Sequence, residues 1–171
     1  MAVDGSDKAS NRIEAEELPR ILKETERRIK RGALGHWLAT NTLSSFANWF
    51  TTLTLGGGFL ISVLAAIPII LPEFYGQYET PINLAIFVLA SLTSILSVFQ
   101  TVFRWSERAQ VHRSAANHYT NARRQLEVLL IHVPYDVDEL EDLLVHLTHL
   151  SDTTPSVPTG IWNKAVRATR D

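Results

Sequence analysis

The sequence contains no cysteine, which excludes a disulfide framework and a zinc site with thiolate ligands. It also lacks the polar excess of a disordered chain, because 46% of its residues are hydrophobic. No excess of positive charge is present: 16 Lys and Arg stand against 18 Asp and Glu, and this balance argues against direct nucleic-acid binding. No G-x-S-x-G, H-E-x-x-H or P-loop motif occurs, so we expect neither an enzyme nor a bound cofactor.

Charge is missing altogether from two stretches, residues 32–72 and 80–103. Each contains an apolar run, 50–71 and 82–103, that would cover about 33 Å as a helix, enough for a hydrocarbon core of ~30 Å. Between the runs lies PEFYGQYETP, residues 72–81, whose two prolines and glycine predict an extracytoplasmic loop. The pattern therefore predicts a transmembrane hairpin, with buried helices of a soluble core as the alternative.

The basic residues predict the orientation of this hairpin. All 16 Lys and Arg lie before residue 32 or after residue 103, and none lies between the two runs. The positive-inside rule then places both termini in the cytoplasm, so we expect a multi-pass membrane protein. The lipid bilayer is its first expected partner.

The flanking segments predict further helices. Residues 1–13 resemble a disordered leader, and residues 14–49 are predicted as cytoplasmic and interfacial helices, with Pro19 in a first turn. Neither glycine nor proline occurs between Pro81 and Pro134, so the second span is expected to continue as one long cytoplasmic helix. The C-terminal region, 104–171, adds a helix at 136–150 with an N-cap at Asp136 and a short helix at 161–167. The spacing of Leu140, Leu143, Leu144 and Leu147 predicts an apolar face on the first of these helices. The predicted fold is an all-α membrane protein.

Two sets of apolar and small side chains predict helix contacts. A heptad-like stripe after the second span requires a partner helix, from the same chain or a second subunit. Its members are Trp105, Ala109, His112, Ala116, Tyr119, Leu126, Leu130 and Val133. In the first span, Gly58, Ser62 and Ala66 follow at intervals of four, a spacing typical of close helix packing within the hairpin or between copies.

Polar side chains of the second span form a candidate pore lining. Asn83, Ser94, Ser97 and Thr101 share one side of the helix. A single hairpin cannot enclose water, so a pore requires a homo-oligomer. Arg104 and Arg108 follow at the predicted inner mouth, where they would set ion preference or simply extend toward lipid headgroups.

The histidines offer little support for a metal site. His146 and His149 lie three apart on one predicted helix and can meet. Zinc needs three or four ligands, and the nearest carboxylates, Glu141 and Asp142, are on other turns. We therefore expect no bound metal.

The segment after the second span, ERAQVHRSAANHYTNARRQLE, resembles the SLATT family of two-span membrane proteins from bacterial conflict systems. The matching positions are Glu107, Ala109, His112, Ala115, Ala116 and Tyr119. RIKRGALGHW before the first span and TPSVPTGIWNKAV near the end are also similar to the family, whereas Ala122 stands where a larger apolar residue is expected. The resemblance implies a pore-forming anti-phage effector that causes abortive infection. It also implies a separate sensor, such as a nucleotide second-messenger synthase or a reverse transcriptase.

Two other functions remain open. The hairpin would be only a membrane anchor if the cytoplasmic helices serve as a scaffold for a defence or signalling partner. Alternatively, the protein is a ligand-binding regulator in which His112, Tyr119, Arg123 and Arg124 form an anion pocket. Neither alternative needs a conduit across the membrane.

Overall fold

The structure, a computed structural model, describes residues 6–131 and 137–170. They form five α-helices and, within these two ranges, no β-strand. The helices are α1 (Ser6–Ile70), α2 (Pro72–Phe103), α3 (Trp105–Ile131), α4 (Val137–Thr153) and α5 (Thr159–Ala168). The all-α prediction is confirmed. The described residues divide into a hairpin unit, residues 41–109, and a bundle unit, which comprises those up to Thr40 and from Gln110 onward.

The N-terminal segment is more helical than its sequence predicts. Residues 6–13, predicted as part of a disordered leader, belong to α1, and no glycine or proline interrupts them. Pro19 therefore lies well inside this helix rather than in its first turn, which costs one backbone hydrogen bond. The remaining leader, residues 1–5, lies outside the described residues. α1 continues without interruption from the predicted interfacial segment into the first apolar run and ends at Ile70.

The connection between the two apolar helices is shorter than the predicted loop. Only Leu71 separates α1 from α2; its N–H donates to the carbonyl of Ile67 at 2.8 Å, and its carbonyl accepts from Tyr75 at 3.0 Å. The loop predicted at 72–81 is wrong because Pro72 starts a helix, where a missing N–H has no intrahelical partner to lose. The irregular backbone lies instead at Tyr78 (φ −121°, ψ 24°), three residues before Pro81.

A second break separates α2 from α3. Arg104 adopts a left-handed conformation (φ 49°, ψ 41°), so the helix predicted to run from residue 82 to 133 is interrupted at this residue. This conformation costs a residue with a Cβ about 1–2 kcal/mol. The break keeps its hydrogen bonds, since the Arg104 N–H donates to Gln100 and its carbonyl accepts from Arg108, both at 3.1 Å. Trp105 then packs on Phe50, with ring centroids 4.4 Å apart, which stabilises the new helix start.

The hairpin unit exposes its apolar side chains. In the most apolar window of each long helix, 0% and 6% of the residues are buried, and Phe59, Ile69 and Phe87 are 73%, 84% and 70% exposed. Helices in the core of a soluble protein would be covered by other elements. The chain therefore has two helices long and apolar enough to span a membrane.

The bundle unit has a continuous hydrophobic core. Leucines of α4 pack with α3 and with Ile29 of α1, which confirms the apolar face predicted for the 136–150 helix. The buried members are Ile29, Tyr119, Ala122, Leu126, Leu129, Leu140, Leu143, Leu147 and Leu150. Leu130, predicted in the α3 stripe, is 38% exposed, and Leu129 takes its place. Val133 and the predicted N-cap Asp136 lie outside the described residues.

Candidate functional site

The bundle unit holds a buried pair of histidines. His36 of α1 and His112 of α3 approach with their Nδ1 atoms 2.9 Å apart, and both side chains are buried. Tyr119, two turns after His112, stacks on the His36 ring with centroids 5.6 Å apart and planes inclined by 22°. The α3 stripe thus finds a partner helix within its own chain at these positions.

A glycine allows α1 to approach this cluster. A Cβ on Gly32, one turn before His36, would lie 2.7 Å from an atom of the Tyr119 ring. Contacts this short do not occur, so only glycine fits while the ring keeps its place. One turn beyond His36, the Thr40 hydroxyl donates to the His36 carbonyl at 2.9 Å. Gly32, His36 and Thr40 therefore form one face of α1, at intervals of four residues.

Burial keeps the two imidazoles neutral at pH 7. Loss of hydration and, to a smaller extent, the charge of a protonated His112 lower the pKa of His36 from 6.5 to about 4. Burial also lowers the pKa of His112. One Nδ1 must donate its proton to the lone pair of the other, because two protonated Nδ1 atoms would repel at this distance. Protonation of both rings would therefore disrupt this hydrogen bond, so the pair can respond to a fall in pH.

The cluster does not form a metal site. The pair supplies only two imidazoles, and the described residues contain no group of three or more His, Asp or Glu side chains placed to hold a metal ion. His146 and His149, the sequence candidates, are both exposed. The anion pocket suggested at His112 and Tyr119 is also not formed, since both side chains are buried in the cluster.

The predicted pore-lining residues fall into two groups. The hydroxyls of Ser94, Ser97 and Thr101 each donate to the carbonyl four residues earlier, at 2.8, 2.9 and 3.0 Å. Ser94 and Thr101 are exposed, and Ser97 is half-buried. Asn83 differs, because its Nδ2 donates to the Tyr75 hydroxyl at 3.0 Å. Asn83 is therefore tied to the start of α2, a contact that the sequence did not indicate.

The row of hydroxyls ends at a polar cleft. This cavity of about 440 Å³ lies in the hairpin unit and is lined mainly by polar side chains. They are Thr51, Gln100, Thr101, Arg104, Ser106 and Glu107. Gln100 donates through Nε2 to the Thr51 hydroxyl at 3.5 Å, and Arg104 pairs with Glu107. Arg108, the second predicted inner-mouth residue, is exposed and does not line the cleft.

The small residues of the first span do not all mark the closest helix approach. A Cβ on Gly58 would meet no atom within 4 Å, whereas one on Gly57 would lie 2.6 Å from the Thr93 Oγ1. Close packing within the hairpin therefore involves Gly57, one residue away from the predicted set. The exposed Ser62 hydroxyl donates to the Gly58 carbonyl at 2.9 Å, and Ala66 is partly exposed. Contact between copies through Gly58, Ser62 and Ala66 stays a prediction.

A basic groove lies between α1 and α5 in the bundle unit. Its volume is about 480 Å³. The groove is lined by Arg20, Lys23, Arg27, Arg28 and Arg31, together with Glu24 and Trp162. It replaces the predicted anion pocket as the main concentration of positive charge, because Arg123 is exposed and pairs with Glu127 at 2.8 Å.

No family model matches the chain, and neither a curated protein nor a solved structure shows significant similarity to it. The structure itself defines a class: an all-α protein with a hairpin of two potential membrane spans and a helical bundle unit. The resemblance to the SLATT family rests on the sequence segments alone.

Proposed function

We propose that the protein is a pore-forming membrane effector whose hairpins assemble into a homo-oligomer. The observation that carries the proposal is a hairpin with exposed apolar spans, in which a row of hydroxyls on α2 leads to a polar cleft. The apolar surface suits lipid, and the polar row suits water. A single hairpin has both the apolar surface and the polar row, but only several copies together can enclose a conduit for water.

Insertion is supported by exposure and charge together. Large apolar side chains cover both helices, and no Asp, Glu, Lys or Arg occurs from residue 80 to 103. In water this surface would be a strong aggregation site, whereas in a bilayer it is solvated by acyl chains. Arg104 and Arg108 end the second run, so the basic end of the hairpin would lie in the cytoplasm together with both termini.

The hydroxyl row suits the lining of a narrow conduit. The Ser94, Ser97 and Thr101 hydrogens are used within α2, but each oxygen keeps a lone pair that can accept a hydrogen bond from water. At the cleft, the Gln100 amide and the Arg104–Glu107 pair extend this polar path. Such a pore would discriminate weakly among small ions, because no net charge lines the row.

The biological role follows from the SLATT resemblance. Opening such a pore in the bacterial inner membrane would depolarise an infected cell and stop phage spread. A trigger would come from a separate partner, such as a nucleotide second-messenger synthase or a reverse transcriptase. The protein itself would act without catalysis.

Conductance in planar bilayers tests the proposal. Purified full-length protein is expected to produce discrete current steps, and Thr101→Leu should remove most of the current by replacing a hydroxyl with a bulky apolar group. The matched control is Thr52→Leu, since Thr52 is an exposed threonine of the first span outside the cleft. It should leave the current unchanged, and both variants should keep the oligomer mass in detergent.

Two outcomes would count against a pore. The first is wild-type protein that inserts and oligomerises but carries no current, together with no depolarisation of cells that also carry the neighbouring genes. This result would favour the membrane-anchoring scaffold. Equal loss of current in both threonine variants would show that α2 does not supply the lining.

A further inference from the structure

The basic groove concentrates cations along one side of α1. Its five basic residues extend from Arg20 to Arg31, a length of about 16 Å along the helix axis. A groove of this length can contact several anionic groups at once. Glu24 is the one carboxylate that lines it among the described side chains, so positive charge dominates.

No cation that lines the groove lies within ion-pair distance of a carboxylate whose side chain the structure describes. Among the described side chains of α1, the one basic residue within ion-pair distance of a carboxylate is Lys30, which contacts Glu26 at 2.6 Å and lies outside the groove. Arg31 forms a hydrogen bond instead, since its Nε donates to the hydroxyl of Thr169, the residue that follows α5, at 3.3 Å. Neighbouring like charges repel, and a bound anion would relieve that repulsion.

The opposite wall of the groove is formed by Trp162 of α5. The indole packs over Gly35, where an added Cβ would lie 3.2 Å from a ring carbon, and the side chain is still 39% exposed. The wall is therefore held in place while part of the ring faces the groove. A ligand that enters the groove would change the surroundings of this ring.

We infer that the basic groove binds two or more phosphate groups that are held close together. Guanidinium groups present paired N–H donors that match phosphate oxygens, and four of the five cations are arginines. A linked polyphosphate also matches a row of cations better than a single small anion does. The ligand would be either a free polyphosphate or a cluster of phospholipid headgroups. This inference goes beyond the proposed pore and does not depend on it.

Calorimetric titration of the full-length protein with inorganic tripolyphosphate tests the inference. In neutral detergent the wild type should bind saturably. The double variant Arg27→Gln, Arg28→Gln should bind at least about tenfold more weakly, because charge-assisted hydrogen bonds are lost. The matched control, Arg113→Gln with Arg167→Gln, removes the same charge from exposed sites outside the groove and should bind as the wild type does.

Fluorescence locates the bound ligand, and lipid composition identifies its source. Tripolyphosphate should alter the tryptophan emission of the wild type but not that of Trp162→Phe. In nanodiscs of phosphatidylcholine, binding that persists when phosphatidylglycerol is added supports a free polyphosphate. Binding that phosphatidylglycerol abolishes supports headgroups in the same groove.

Three results would overturn the inference. They are the absence of saturable binding in both detergent and phosphatidylcholine nanodiscs, an equal loss of affinity in the groove and control double variants, and an emission change that survives in Trp162→Phe. Thermal melting of each variant verifies that the exposed arginine replacements leave the fold intact.

Discussion

Acidification should loosen the bundle unit through its histidine pair. His36 has a pKa lowered from 6.5 to about 4 by burial and by the facing His112. Between these values the unfolded chain binds a proton that the folded chain excludes. The stabilisation is thus complete above pH 6.5, decreases as the pH falls, and is lost once the pH passes below about 4.

The size of the effect follows from the same two values. A pH unit of difference corresponds to about 1.4 kcal/mol, so the interval from 6.5 to about 4 gives about 3 kcal/mol for His36. His36 is 4% exposed, so solvent screening takes little from this figure. His112, whose pKa burial also lowers, acts in the same direction. Opening of the surrounding helices should therefore become about two orders of magnitude more frequent at low pH.

Hydrogen exchange of the full-length protein in detergent measures this opening. Peptides from the α3 segment 110–126 should lose protection at acidic pH, after correction for the intrinsic pH dependence of exchange. The double variant His36→Leu, His112→Leu removes both partners of the hydrogen bond, so it should fold and show a flatter pH profile. His118→Gln changes an exposed histidine of the same helix and should keep the wild-type profile.

The double variant also separates the pH dependence that is due to the histidines from the pH dependence that is due to carboxylates. Glu26 has a pKa lowered by its hydrogen bond with Lys30, so its contribution is lost as the pH falls below 4.5 in every variant. The difference between wild type and double variant isolates the imidazoles. Identical pH profiles for the two proteins would refute the assigned role of burial.

Substitution of Gly57 or Gly32 by alanine should be destabilising, whereas the same substitution at Gly58 should not. Gly57→Ala should destabilise the hairpin by about 1 kcal/mol, because its Cβ would meet the Thr93 Oγ1 at 2.6 Å, and hydrogen exchange of hairpin peptides should show it. Gly32→Ala should lower the melting temperature of the bundle unit by forcing the Tyr119 ring aside, a cost of about 2 kcal/mol. Gly58→Ala meets open space and should be neutral or stabilising in both measurements, so an equal loss there would contradict the packing argument.

The sequence predicts the elements whose signals are local. Missing charge and continuous apolar character indicate the two long apolar helices, and the leucine spacing indicates the buried face of α4. These signals depend on residues within a few turns of one another. They could therefore be read without knowing which segments meet.

Helix ends were harder to predict because their determinants compete. Pro72 and Pro81 both predict a loop, but a proline at the first helical position costs nothing, and Pro72 occupies such a position. Arg104 carries no sequence signal for a left-handed conformation, which glycine or asparagine usually adopts. There, aromatic packing of Trp105 on Phe50 outweighs the local backbone preference of Arg104.

The sites of the bundle unit depend on segments far apart in the chain. His36 and His112 are separated by 76 positions, and the groove joins residues 20–31 of α1 to Trp162 near the C-terminus. One signal could have indicated His36: Gly32, His36 and Thr40 fall at intervals of four in a stretch without charge, as expected of a face packed on another helix. This spacing does not indicate which helix packs against the face.

Polar groups in the two units find their hydrogen-bond partners in different ways. This difference decides whether a variant reports on conduction or on stability. The Ser94, Ser97 and Thr101 hydroxyls bond to carbonyls of their own helix, and those carbonyls keep their main-chain partners when a hydroxyl is removed. Loss of one hydroxyl leaves no group unpaired, so current through a variant measures the lining rather than the fold. The imidazoles satisfy one another across two helices, and removing only one leaves a buried nitrogen unpaired at a cost of about 1–3 kcal/mol. Variants that remove one α2 hydroxyl should therefore assemble normally, whereas variants that remove one of the two histidines should lower the stability of the bundle unit.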